Sequence, residues 1–176
     1  MNRFFHLHQF SVWLNQTAFH LWVSKITKSQ LYAVPIVQGI HLVAICVIIG
    51  SVGMLGLRMA GLFGAGGGQP VAVMARRLLP WTWAAIAIQI ATGILMVVDR
   101  PGRALDSLTF PYKMAMLLAA ILLTALFGLT LKRDPGFWDE GKGRRVAGKL
   151  LGVASVLVWV GIIVAGRWIY YEKAPI

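Results

Sequence analysis

Acidic residues are scarce in this chain: six Asp and Glu stand among 176 residues, against 17 Lys and Arg. Charge of either sign is scarce as well. Only 13% of residues are charged, where a soluble protein carries about a quarter. The charges are also gathered into clusters. No Asp, Glu, Lys or Arg lies in the 29 residues between Lys28 and Arg58, the 21 between Arg77 and Asp99, the 18 between Lys113 and Lys132, or the 17 between Lys149 and Arg167. A water-soluble helical bundle needs a polar face on each helix, and segments such as 86–98 and 114–131 offer almost none. Cys46 is the only cysteine. It excludes an internal disulfide, and a lone thiol in an apolar helix reads as packing. The glycine-rich stretch around Gly64, Gly66, Gly67 and Gly68 has no following Lys-Ser or Lys-Thr pair, so it is a flexible turn and not a phosphate cradle.

What is present points to a membrane. Hydrophobic residues make up 58% of the chain, with 19 glycines among the rest. A membrane-spanning helix needs about 20 apolar residues, and the four uncharged gaps meet or approach that length. Tyr112 flanks the third gap, and Trp168, Tyr170 and Tyr171 flank the fourth, in keeping with aromatic residues at the lipid–water boundary. The fold class expected is all-α, a polytopic membrane protein with a four-transmembrane-helix bundle over residues 31–176. Its spans fall at about 31–57, 80–98, 111–131 and 146–170. Pro35 suits the first turn of span one. Trp81 and Trp83 mark the entrance of span two, and Asp99-Arg100-Pro101-Gly102 ends it as a turn. Gly50, Gly53 and Gly56 suggest a smooth face for close helix approach.

Residues 1–30 read differently. His6, His8, Gln9, Asn15, Gln16 and His20 make this stretch too polar for a comfortable span. No clean apolar core with a small-residue cleavage site marks a signal peptide. Phe10, Trp13, Leu14 and Phe19 among those polar groups suggest an amphipathic helix lying in the interface. The competing reading is a fifth span.

A net charge of +11 is explained by basic loops facing anionic lipid, with no nucleic acid required. The cluster Lys132, Arg133, Lys142, Arg144, Arg145 and Lys149 places its loop in the cytoplasm. Both termini then lie on the outer, periplasmic side, if the membrane is the inner membrane of a bacterium, as the resemblance given below implies.

Ionisable groups inside spans are costly in lipid, so each is a functional candidate. His41 lies about 15 Å into span one at 1.5 Å per residue. Lys113 begins span three, Arg167 lies near the end of span four, and Asp99 closes span two. The alternating directions of the spans put all four in one half of the bilayer. Gln38, on the face of His41, adds a neutral polar group, as do Gln89 and Thr92. In the plainer reading, His41 bonds a neighbouring helix, Lys113, Asp99 and Arg167 reach to head groups, and Gln89 and Thr92 join helices. Met54, Met59, Met74, Met96, Met114 and Met116 read as packing. In the sharper reading, His41 ligates the iron of a b-type heme, Lys113 is a second ligand, and Arg167 neutralises a propionate. A second imidazole could come only from His20, with the N-terminal segment folded back.

The runs PIVQGIHLVAICVIIGSVGMLGLRMAGL, LLPWTWAAIAIQIATGILMVVD and FPYKMAMLLAAILL resemble a bacterial family of small four-helix membrane proteins of unknown function. The matching residues are His41, Gly50, Arg58, Trp81, Thr92, Gly93, Phe110 and Lys113, and the resemblance covers roughly residues 30–125. His41, Arg58 and Lys113 are also distantly similar to an arrangement in heme-containing protoporphyrinogen oxidases, and His41 with Arg58 to one in copper-resistance-D-like membrane domains. That similarity implies a heme and membrane electron transfer, with a quinone or a membrane or periplasmic redox protein as partner. The alternatives are a non-enzymatic anchor or structural subunit and a small transporter. No internal repeat or acidic ring favours the transporter.

Overall fold

The computed structural model describes residues 2–29, 32–61 and 70–172. Its elements are α1 (Asn2–Asn15), α2 (Ala18–Ser29), α3 (Ala33–Ala60), α4 (Val71–Asp99), α5 (Pro101–Leu105), α6 (Thr109–Arg133) and α7 (Lys142–Tyr171). Four of them, α3, α4, α6 and α7, are long and apolar enough to cross a membrane. The expected glycine turn at Gly64–Gly68 lies outside the described residues.

Large apolar side chains face outward. Leu118, Leu122 and Leu126 form an exposed stripe on α6, while Ser51, Thr82, Gln89, Thr92 and Thr124 are buried. A chain surrounded by water would invert this pattern; one surrounded by hydrocarbon has no reason to. The helices adjoin in the order α4, α3, α7, α6, and α4 and α6 scarcely touch. Ile48, Ala120 and Trp159 lie at the centre of one apolar cluster. Leu55, Ala75 and Phe127 lie in a second, nearer the basic loop.

The α3–α7 seam is the tightest contact. A Cβ on Gly152 would lie 3.0 Å from Gly56 Cα, and one on Gly56 would lie 3.2 Å from the Gly152 carbonyl oxygen. The expected three-glycine face is reduced to this one residue, because a Cβ added at Gly50 or Gly53 would meet nothing within 4 Å. At about 100° per residue, glycines three apart drift around the helix and do not share one strip.

Three of the four spans, α4, α6 and α7, are longer than their charge gaps, and α3 runs past the end of its own. α3 continues to Ala60 and stops at Gly61, whose φ of +86° is a left-handed helix end that glycine adopts without strain. The largest difference is α4, which starts nine residues before the expected boundary, with Pro80 inside it. Proline lacks the N–H that would bond the Arg76 carbonyl. Neighbouring groups and local adjustment let membrane helices carry such a break. Pro101 opens α5 at its first turn instead of sitting in a simple turn.

The N-terminal segment is two helices, not one. At 14 and 12 residues they rise only about 21 and 18 Å, short of the ~30 Å hydrocarbon layer. They dock on the end of the bundle where α3 and α6 begin. α1 packs on α5 and α2 on α4, with Ser11 bonded to Asp106 and Thr27 to Asp99. Phe10, Trp13, Phe19 and Trp22 remain exposed, the disposition of an interfacial segment.

Candidate functional site

α3 carries His41 eight residues past its start, and α4 runs antiparallel beside it with Gln89 and Thr92 one helical turn apart. Both ring nitrogens of His41 are engaged. Nδ1 lies 2.7 Å from Thr92 Oγ1, and Nε2 lies 2.8 Å from Gln89 Nε2. Thr92 Oγ1 also lies 2.7 Å from the Ile88 carbonyl, to which it donates. It must therefore accept from His41 Nδ1–H, which leaves Nε2 as the acceptor of the Gln89 amide N–H. The result is a neutral imidazole of one tautomer, clamped between two side chains of one neighbouring helix. The ring also rests against Gly93, where a Cβ would come within 3.7 Å of its Cε1.

Lys113 completes the cluster from α6. It is half-buried at the start of that helix. Its Nζ lies 3.3 Å from where a Gly166 Cβ would stand, so the missing side chain on α7 makes room for the ammonium group. α3, α4, α6 and α7 thus meet at one level.

The cluster has one loose end. Gln89 Oε1 is buried and has no hydrogen-bond partner among the described residues. Half a turn of the amide about its terminal bond would bring Oε1 to His41 Nε2, which could then carry a proton. Trp159 Nε1 is the other buried group without a partner among those residues. It belongs to the apolar cluster around Ile48.

The other expected site residues lie elsewhere. Gln38 is exposed. It lies about 60° around α3 from His41 and makes none of that residue's bonds to α4. Asp99 accepts from Thr27 Oγ1 at 2.6 Å and pairs with its neighbour Arg100 at 3.4 Å; it fastens α2, not the histidine. Arg167 is exposed, with its guanidinium 5.5 Å from the centre of the Tyr171 ring. His20 does fold back, but its Nδ1 meets the Val98 carbonyl at 2.6 Å, about two turns of α4 from the level of Thr92.

This donor set does not fit a heme as it stands. Iron would need the Nε2 lone pair that Gln89 occupies. No group of three or more His, Cys, Asp or Glu that could hold a metal ion occurs among the described residues. The cavity lined by all four long helices, bordered by Gly56, Thr82, Thr124 and Ser155, holds about 40 Å³, room for about three waters. It lies some two turns of α4 away from Gln89.

Residue chemistry alone does not mark out Glu172. Just past α7, its carboxylate accepts from the Ser107 hydroxyl and from the N–H groups of Leu108 and Thr109 at 3.1 and 3.3 Å. The first turn of α6 thereby gains a capping anion. The Ser107 bond, with those from the Thr109 and Leu108 region, holds the Glu172 carboxyl below its usual range. At the opposite end Asp139 accepts from Val71 N–H at 3.1 Å and faces Arg58 at 3.8 Å. The overlooked signal was the rarity of acid itself. Asp99, Asp106, Asp134, Asp139 and Glu172 each make a hydrogen bond or ion pair.

A family model described as a family of unknown function, DUF6644, matches residues 10–172. The chain belongs to that family. The match takes in α2 to α7 and every member of the His41 cluster. No curated protein and no solved structure matches the chain. The distant similarity to heme-containing oxidases and copper-resistance-D-like domains therefore rests only on the residues that suggested it.

Proposed function

We propose that this member of the family is a non-enzymatic, multi-pass membrane subunit, a rigid four-helix module that anchors or supports a partner in the bilayer. The observation that carries this reading is the double engagement of His41. An imidazole with both nitrogens bonded to α4 acts as a lock between helices, and interhelical hydrogen bonds of this kind stabilise membrane bundles by about 0.6 to 2 kcal/mol. The basic loop between α6 and α7 favours insertion with that loop in the cytoplasm of a bacterial inner membrane and both termini outside.

A second reading is a heme-linked electron-transfer protein, serving a quinone or a membrane or periplasmic redox partner. Its support is the unpartnered Gln89 Oε1 and the half-buried Lys113 beside His41, since an incomplete polar cluster in lipid invites a ligand. It requires Gln89 to turn away from the ring.

An absorption spectrum of detergent-purified protein, expressed with ample heme, separates the two. The lock predicts no Soret band in oxidised or dithionite-reduced protein, and a lower unfolding midpoint in His41→Leu. A Soret band that disappears in His41→Leu overturns the lock and establishes the heme reading.

A further inference from the structure

α4 and α6 run antiparallel, scarcely touch, and leave a groove of about 660 Å³ between them at the basic end of the bundle. Its walls are apolar: Leu79, Pro80 and Trp83 from α4, Gly128 and Leu129 from α6. Its mouth is not. Arg76 and Lys132 border it there, and each is followed in sequence by another exposed cation, Arg77 and Arg133. Among the described residues none of these four has a carboxylate partner. Of the three acids in the adjoining loop, Asp134 pairs with Arg144 and Asp139 with Arg58, which leaves Glu140 against the cations of that end.

The groove has a local cause. Gly128 offers no side chain to fill it; a Cβ there would only reach Leu79 Cδ1 at 3.7 Å. Pro80 cannot donate to the Arg76 carbonyl, so this turn of α4 lacks one ordinary helix bond beside the cation. Along the bundle axis the order is therefore cations at the water boundary, then apolar wall deeper by about two turns. A glycerophospholipid has that order of chemistry.

We propose that the α4–α6 groove is a binding site for one acidic phospholipid of the leaflet at the basic end. Its phosphodiester lies between Arg76 and Lys132, and an acyl chain lies along Leu79, Trp83 and Leu129. Charge selects the class of lipid. A zwitterionic headgroup brings its own ammonium to a mouth that already holds unpaired cations, whereas a singly anionic headgroup neutralises one of them. Basic pockets between membrane helices recognise anionic lipid in this way.

Trp83 reports on the groove. The full chain is reconstituted in phosphatidylcholine vesicles containing increasing fractions of brominated phosphatidylglycerol or brominated phosphatidylcholine. The Trp83 contribution to fluorescence is taken as the difference between the wild type and Trp83→Phe. Half-maximal quenching is expected at a roughly tenfold lower fraction of the acidic lipid. In the double variant Arg76→Gln/Lys132→Gln the two lipids become equivalent. Lys142→Gln/Lys149→Gln removes the same charge from the same end outside the groove and keeps the preference. The proposal is overturned if the wild type shows no preference, if the groove variant retains it, or if the control pair also abolishes it, which would make the effect one of diffuse surface charge. It is equally overturned if neither lipid quenches Trp83, because a protein surface such as a second copy then covers the groove.

Discussion

The two ends of the bundle are held together by different means. Where α3 and α6 begin, the ties are polar and reach between separate elements: His20 to the end of α4, Thr27 to Asp99, Ser11 to Asp106, and Glu172 to the first turn of α6. The His41 clamp lies just inside them. At the basic end the work falls to close packing and one loop. Gly152 abuts Gly56, Trp138 packs on Phe127 with ring centres 6.0 Å apart, and Asp139 links the loop to α3 and α4. Hydrogen bonds hold a fixed partner and can be titrated. Steric contact between backbones has no chemistry to titrate but tolerates almost no added volume.

The largest effect should come from breaking the steric end. Gly152→Leu places a side chain where even a Cβ meets Gly56 Cα at 3.0 Å. A loss of about 3 kcal/mol is expected from overpacking, read as a lower midpoint in unfolding by sodium dodecyl sulfate. A midpoint like that of the wild type would show that the α3–α7 seam can open freely.

The clamp comes next. His41→Leu and Gln89→Leu should each cost about 1 to 2 kcal/mol. The double variant should be more stable than the sum of the two losses predicts, because each single change leaves a buried partner unpaired. Strict additivity would mean that the two side chains do not act as a pair.

A smaller effect follows from Glu172. Its carboxyl is held below the ordinary range by Ser107 and the N–H groups beside it. A carboxylate depressed in the fold contributes its stabilisation above the unfolded value of about 4.3, and loses it as pH falls through the lower folded value. Acid should therefore loosen the polar end first. The difference in melting temperature between wild type and Glu172→Gln should shrink as pH is lowered from 6 towards about 3. A difference that is constant across that range removes the capping role. The smallest effect is expected at Gly50→Ala and Gly53→Ala, where nothing lies within 4 Å of the added carbon. The higher helix propensity of alanine should leave stability unchanged or raised by up to about 1 kcal/mol, in the same detergent assay. A marked loss at either would reveal a contact between copies of the chain.

The fold was legible in the sequence to a useful depth. Four spans followed from charge gaps alone, because a chain cannot place bare charge in hydrocarbon at small cost. Their ends were less so. α4 begins at Val71, since Pro80 is compatible with a helix interior once neighbouring groups compensate for its missing N–H. Gly61 could have marked the end of α3, because glycine after an apolar run is a common helix stop. Of the candidate site, His41, Gln89, Thr92 and Lys113 do come together, whereas Gln38, Asp99 and Arg167 do not. Depth along a helix is readable from residue number. Direction around it depends on which neighbour each face meets.

The sequence by itself determined that this chain is helical, that it has four segments fit to cross a membrane, and that His41, Asp99, Lys113 and Arg167, the ionisable groups in or at the ends of those segments singled out above, fall in one half of it. Those properties come from local composition and from the alternation of direction between successive helices. Only the tertiary structure decided that His41 gives both nitrogens to α4, that Glu172 closes the start of α6, and that α4 and α6 stand apart around a cation-mouthed groove. Each of these depends on the order in which helices pack, α4 beside α3 beside α7 beside α6. Four apolar helices of similar length carry too little difference in their surfaces for that order to be read from the chain.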